Sequence, residues 1–195
     1  MIPAFNHSHV LPPFEGDRLS SARSSPYPVT ASALVQRMAG SRERCAILAG
    51  LFRYRVALRA LGFTQGFQWL DGSFVEDVEA REDRPPNDID LVTFAHPPGG
   101  MPKDQVRQLL AAHPELFDRD QCKAGFHCDT FLVNLTTSPE WLVTQTRYWY
   151  GLFSHRRGDA LWKGMLQLPL ESDDDAATAL LDARLNPGSE DAGAT

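Results

Sequence analysis

The chain has little cysteine and no long apolar run, and both scarcities narrow what it can be. Its three cysteines, Cys45, Cys122 and Cys128, are an odd number, and their spacing fits neither a paired-CxxC zinc site nor a dense disulfide framework. Reduced, structural thiols are therefore expected. No stretch approaches the roughly 20 apolar residues that cross a bilayer, and the start MIPAFNHSH has neither the charged nor the apolar region of a signal peptide. The expectation is a cytoplasmic protein with no membrane partner. An excess of positive charge is lacking too. A formal net charge of -6 argues against broad attraction to nucleic-acid backbones while leaving room for a local basic groove. Internal repeats are absent.

What is present suits one domain with a genuine core, since 195 residues are enough to bury one. Residues 1–30 contain several prolines and the Ser-rich LSSARSSPYPVT, which reads as an extended arm with turns. From Ser32 to Leu61, apolar residues recur at helical spacing, with Gly40 and Ser41 splitting the run in two, Ser41 placed to cap the second helix and Gly62 to end it. Phe67 to Leu70, Asn87 to Phe94 and His127 to Leu135 read as strands. The helical pattern of Pro102 to Phe117 between the last two is a crossover that returns the chain to the same sheet. A helix over Pro139 to Tyr150 follows, its aromatics Trp141, Tyr148, Trp149 and Tyr150 and the nearby Phe153 spaced for a core. GLFSHRRGDALWKGMLQLPL then reads as a hairpin turning at Gly158-Asp159. Past Leu170, the acidic ESDDDAA run predicts a short helix, Ala176 to Leu185, and a disordered end. The expected division is thus an arm (1–30), a domain (31–170) and an acidic, partly disordered tail (171–195). The expected fold class is α/β of the α+β kind, a mixed sheet flanked by helices with a C-terminal β-hairpin.

The chemistry concentrates in residues 71–90, DGSFVEDVEAREDRPPNDID. Side chains at i and i+2 of a strand share a face, so Asp88 and Asp90 would project together as two hard oxygen ligands suited to Mg²⁺. The plain alternative is a strand-start turn in which Asn87 and Asp88 bond to backbone. Upstream, Gly72-Ser73 follows an apolar strand; glycine lets a phosphate approach closely and Ser73 adds a hydroxyl donor. Asp129, at the start of a later strand, would complete a three-carboxylate site for two metal ions. Charge-rich EAREDRPP reads as a loop between the two motifs. His127 beside Cys128 and Asp129 reads as structural. His155, Arg156, Arg157 and Lys163 could hold a triphosphate or an RNA acceptor, or simply protect a sheet edge.

A Gly-Ser turn after a strand, an Asp-x-Asp strand and a later strand bearing one Asp resemble the nucleotidyltransferase fold of the DNA polymerase β-like superfamily. MIPAFN, VLPPF, LDGSFV and PNDIDLV are also similar to an uncharacterised small bacterial family within it. The resemblance implies a nucleotidyltransferase-like sheet and a Mg²⁺-dependent transferase, with Mn²⁺ an alternative ion, that moves a nucleoside monophosphate from an NTP to a protein or RNA hydroxyl. It implies that Gly72 and Ser73 bind the nucleotide's phosphates, and the basic residues Arg156, Arg157 and Lys163, read above as able to hold a triphosphate, complete the expected nucleotide-binding set. Asp88 and Asp90 would hold metal and Asp129 would be the third catalytic and metal-binding acid. Toxin–antitoxin or phage-defence modules, with a cognate toxin or antitoxin as partner, are the context that the small relatives suggest. One departure stands out: Phe74-Val75-Glu76-Asp77 follows the Gly-Ser pair where a glycine or arginine is common, giving an acidic phosphate pocket. That departure supports a rival reading, a catalytically silent nucleotide-binding or protein-interaction module.

Overall fold

The computed structural model describes residues 1–16 and 23–186. Its centre is a five-stranded mixed sheet in the order β1-β5-β2-β3-β4, built from β1 (Tyr27–Pro28), β2 (Gly66–Asp71), β3 (Ile89–Ala95), β4 (Cys128–Asn134) and β5 (Leu166–Pro169). β2 runs antiparallel to both β3 and β5, while β1–β5 and β3–β4 are parallel. The fold is α+β, as the alternation of strand and helix patterns predicts. No helix among the described residues is long and apolar enough to cross a membrane.

Helices form where the sequence supplies both a stripe and a cap. Thr30 accepts from the Ala33 amide to open α1 (Ala31–Met38), and Ser41 accepts from Arg44 to open α2 (Arg42–Ala60), so the predicted split falls between them. Gly62, at φ 90°, takes the left-handed conformation that ends the run. The crossover from β3 to β4 is made of α4 (Lys103–Ala112), α5 (Pro114–Phe117) and α6 (Arg119–Phe126). His127 ends α6 in the left-handed conformation, φ 55°, which gives this histidine a local structural role.

Period-2 alternation divides the sheet's side chains between two cores. On one face Leu70, Ile89, Leu91, Leu166 and Leu168 pack with Leu34, Leu48, Leu51 and Leu58 of α1 and α2. On the other, Trp69, Val92, Phe94 and Val133 pack with Trp149 and Phe153 of α7 (Pro139–Phe153). α7 buries little else: Trp141 and Tyr148, expected in the core, are exposed.

Two expectations for the C-terminal third need correction. The hairpin around Gly158-Asp159 is reduced to one antiparallel bridge, His155 with Trp162, because α7 extends to Phe153 and takes up the first of the two presumed strands. The second becomes β5, which finds its partners in β2 and β1 instead. The region read as an acidic tail begins with α8 (Asp174–Leu185), and α8 is part of the main core through Ala177 and Leu181. The end expected to be disordered, 187–195, lies outside the described residues.

Asp174 explains why α8 docks. It is buried, and its carboxylate accepts from Arg55 Nε at 2.8 Å and Nη2 at 2.9 Å, with Arg59 as a further partner. Arg55, fully buried, also donates to Gln68 Oε1 at 2.6 Å, and Gln68 in turn donates to Thr93 Oγ1 at 3.0 Å. One network therefore links α8, α2, β2 and β3. Removing one member of a buried pair leaves an uncompensated charge, which typically costs about 3–5 kcal/mol. Asp174→Ala should lose stability of that order in chemical denaturation, while Asp175→Ala, exposed on the same helix, should lose less than about 0.5 kcal/mol. Equal losses would mean that the network does not anchor α8.

Candidate active site

Register puts a row of carboxylates across the sheet. Asp71 is paired with Asp90, and Asp90 with Asp129, so three acids from three neighbouring strands share one face. Asp88 stands just before β3, two residues from Asp90, on the same side. The alternation argument thus holds for Asp88 and Asp90, and the sheet adds an acid that it did not reach. Asp71 lies immediately before the Gly-Ser turn, but only the β2–β3 register reveals its place in the row.

At Gly72 the chain leaves β2 with φ 79° and ψ -166°, a region that L-residues avoid. Ser73–Val75 then forms a short 3-10 turn whose Phe74 and Val75 are buried. A Cβ on residue 72 would collide with the Asp90 carboxylate, so glycine is needed here to let the turn lie against the acid. This differs from the close approach of a phosphate that glycine's presence suggested. The turn is also held from α2: Arg44 donates to Phe74 O at 2.7 Å and Glu76 O at 2.6 Å, and its Nε and Nη2 engage Glu79 at 2.6 and 2.7 Å. Ser73 lines the cleft; its carbonyl accepts from the Glu76 amide at 3.2 Å, and its hydroxyl makes no hydrogen bond among the described residues.

Beneath the turn, Lys163 is the buried counter-ion. Its side chain is only 2% exposed, and Nζ lies 2.7 Å from Glu76 Oε1, 3.2 Å from Gly72 O and 3.1 Å from Asp71 Oδ1. Glu76 is offset a second time by Arg81 at 2.9 Å. Asp77 caps α3 (Val78–Glu82) and stands 3.6 Å from His9. The Glu76-Asp77 pair therefore does not leave an acidic phosphate pocket, because the buried member is neutralised from below. Lys163 itself, expected to meet a triphosphate, has its three donors directed at protein oxygens.

The acids differ in how their charge is answered. Asp129 is buried and receives Arg119 in a two-pronged pair, Nε to Oδ1 at 2.7 Å and Nη2 to Oδ2 at 2.5 Å. Asp88 is ion-paired to Lys123. Burial pushes the Asp71 carboxyl up to about 7, although Lys163 beside it pulls the other way. Its Oδ1 is buried and, although close to Lys163, has no well-aligned hydrogen bond. Asp90 has no protein partner among the described residues, and burial first, then repulsion from Asp88 and Asp129, raises its pKa.

These groups frame a cleft of about 250 Å³ lined by Asp71, Gly72, Ser73, Asp88 and Asp90, with Arg81, Arg84, Arg156 and Arg157 around them. Arg156 is held by Asp159 and by Ser8 O at 3.0 Å, whereas exposed Arg157 makes no ion pair among the described residues. Arg84 comes from the EAREDRPP segment and pairs with Glu82. That segment contributes α3 and a wall of the cleft, so it does more than span a gap. Asp129 lies outside the lining, behind Arg119.

The donor set suits a hard divalent cation in kind, since Asp88 and Asp90 put two carboxylates into one cleft and such ions take carboxylate oxygens. Among the described residues no three His, Cys, Asp or Glu side chains yet converge for one. The reason is visible: Asp88 and Asp129 are turned to Lys123 and Arg119. Neither cation was singled out in the sequence, and both fall beyond the helical pattern of Pro102 to Phe117; α6 is what sets them one turn apart.

The sheet, the glycine turn and the acid row together define an α+β protein with a carboxylate-lined cleft rimmed by arginines. Residues 3–169 match a family of unknown function (DUF6932), and the chain belongs to that family. No curated protein and no solved structure matches it.

Lys163→Met should cost about 3–5 kcal/mol in chemical denaturation, because Asp71 would stay buried without its cation and Glu76 would keep only Arg81. Arg157→Met, at the mouth of the same cleft, should cost under about 0.5 kcal/mol. If both were tolerated equally, Lys163 would not be holding the turn.

Proposed function

We propose that this protein is a divalent-metal-dependent nucleotidyltransferase, transferring a nucleoside monophosphate from an NTP to a hydroxyl acceptor and releasing pyrophosphate. The observation that carries the reading is the packing of the Gly72 turn directly against Asp90. The turn proposed to bind phosphate and the pair of proposed ligand carboxylates thereby share one cleft, with four arginines around it, of which Arg157 has no ion pair among the described residues.

In this reading Asp88 and Asp90 hold the metal, which when bound supplies charge neutralisation at the reacting phosphate and the leaving pyrophosphate. The Ser73 hydroxyl and the exposed Arg157 bind the triphosphate oxygens, with Arg84 closing from the opposite wall. Asp129 accepts the acceptor's proton once Arg119 no longer occupies both of its oxygens. The acceptor oxygen bonds to the α-phosphorus as the bond to pyrophosphate breaks.

A second reading, a catalytically silent nucleotide-binding or interaction module, draws on the ion pairs that occupy Asp88 and Asp129. Incubation with each labelled NTP and Mg²⁺, alone and with cell lysate, separates the two. Transfer of label supports the enzyme, and NTP binding without transfer supports the silent module.

Asp90→Asn removes the acid of the row that has no ion pair among the described residues and should lower transfer by about 1,000-fold or more, several kcal/mol of transition-state stabilisation, with the fold intact by circular dichroism. Asp129→Ala should retain NTP binding by calorimetry but transfer slowly. Wild-type transfer rates in Asp90→Asn would rule out a metal role for the row, and joint loss of binding and turnover in Asp129→Ala would make that residue structural.

A further inference from the structure

Past α7 the chain doubles back for one antiparallel bridge, and the bridge sorts its side chains by face. The Lys163 amide donates to Ser154 O at 2.8 Å and the Arg156 amide to Leu161 O at 2.9 Å. His155 and Trp162 are therefore the non-hydrogen-bonded pair between them, the kind whose side chains stand closest. Ser154 and Lys163 turn inward and are buried, while His155 and Trp162 turn outward together and are exposed. The Trp162 indole is 47% exposed and packs against Phe14, with ring centroids 5.7 Å apart. His155 also lines the cleft, beside Leu152, which is 41% exposed. Leu152 and buried Phe153 are the apolar side chains of that lining. The cleft thus has a charged part at the acids and the Gly72 turn, and an apolar part at the end of α7.

Backbone geometry fixes what the imidazole offers. Its Nδ1 lies 2.9 Å from Gly151 O and 3.2 Å from Ser154 Oγ. A carbonyl oxygen only accepts, so Nδ1 carries the proton and donates to Gly151. The neutral ring then presents Nε2 as an acceptor, and Nε2 has no partner among the described residues. A nucleotide is charged at one end and flat and apolar at the other, and the cleft is divided in the same way.

We propose that Trp162, Leu152 and His155 form a base subsite at the mouth of the cleft, where a nucleobase stacks on the indole and an exocyclic amine of the base donates to His155 Nε2. An oxo group at that place would set lone pair against lone pair, so the subsite selects bases that carry an amine. This rests on the nucleotide reading of the cleft above and names the part of the ligand that determines choice. It holds whether or not transfer follows binding.

The test is calorimetry in Mg²⁺ with three ligands: a nonhydrolysable ATP analogue, the matching analogue of purine riboside triphosphate, which lacks the amine, and inorganic tripolyphosphate, which lacks the base. Wild type should bind the ATP analogue about tenfold or more tighter than tripolyphosphate, the worth of one stacked base. It should bind the amine-free analogue about fivefold more weakly than the ATP analogue, the worth of one hydrogen bond. Trp162→Ala should reduce the ATP analogue to the tripolyphosphate affinity and leave tripolyphosphate itself unchanged, and Trp162→Phe, which keeps a ring, should retain most of the gain. His155→Leu should erase the difference between the two analogues and keep their advantage over tripolyphosphate. Wild type that binds all three alike or binds none overturns the proposal, as does a Trp162→Ala variant that keeps the preference, or an amine-free analogue bound as tightly as the ATP analogue. Labelled NTP keeps the two readings apart. Base-dependent binding with no transfer from any NTP removes the transferase and leaves the subsite standing. Transfer from subsaturating ATP at equal rates in wild type and Trp162→Ala does the reverse.

Discussion

A buried ammonium between two buried carboxylates is the constraint on which this site depends. Lys163 is the single atom group that touches the end of β2, the carbonyl of Gly72 and the far side of the turn at Glu76. Water cannot substitute for any of these partners at that depth, so the three charges hold their positions or the turn cannot close. The position of Gly72 against Asp90 follows, and with it the shape of the cleft. Arg44 does the equivalent work from α2 on the outer part of the loop, through two carbonyls and Glu79. Two cations from opposite ends of the chain thus clamp one short segment between them.

Depth sorts the site's positive charges into two kinds. Lys163 and Arg44 are buried and act on the backbone of the turn, where they set geometry. Arg119, Lys123 and Arg157 reach the acids or the cleft from solvent, where an ion pair is weak and a partner can be exchanged. Asp90 stands between the two kinds with no ion pair among the described residues, and burial first, then Asp88 and Asp129, raises its pKa. A cleft arranged this way has fixed walls and a replaceable charge lining.

Local sequence carried the parts of this structure that depend on neighbours along the chain. Ser41 as a cap, the glycine after α2, the period-2 placing of Asp88 and Asp90, and the crossover between β3 and β4 are all short-range consequences of residue type. Asp129 shares a row with Asp90 because a parallel crossover returned the chain in a compatible register, which spacing alone does not fix. Asp71 was hidden for the same reason: an acid at a strand end looks solvated until its cross-strand partner is known. The presumed hairpin failed because Gly158-Asp159 is a genuine turn signal, yet β5 has two long strand neighbours elsewhere and α7 had sequence enough to continue through Phe153. Asp174 sat in an acidic run whose look was that of a solvated tail; only Arg55, more than a hundred residues earlier, makes it a core residue.

The order of the strands has a consequence for how the protein is made. β5 is the last strand in sequence, yet it is inserted between β1 and β2, and Lys163 arrives with it. During synthesis β2 and β3 can pair early, but Asp71 then lacks its cation, Glu76 has only Arg81, and one edge of β2 stays open. The glycine turn therefore gains its buried ammonium only once Lys163 has been added to the chain. A translation product truncated before Lys163 has the acids of β2 and β3 but lacks the ammonium that ties the end of β2 to the far side of the turn.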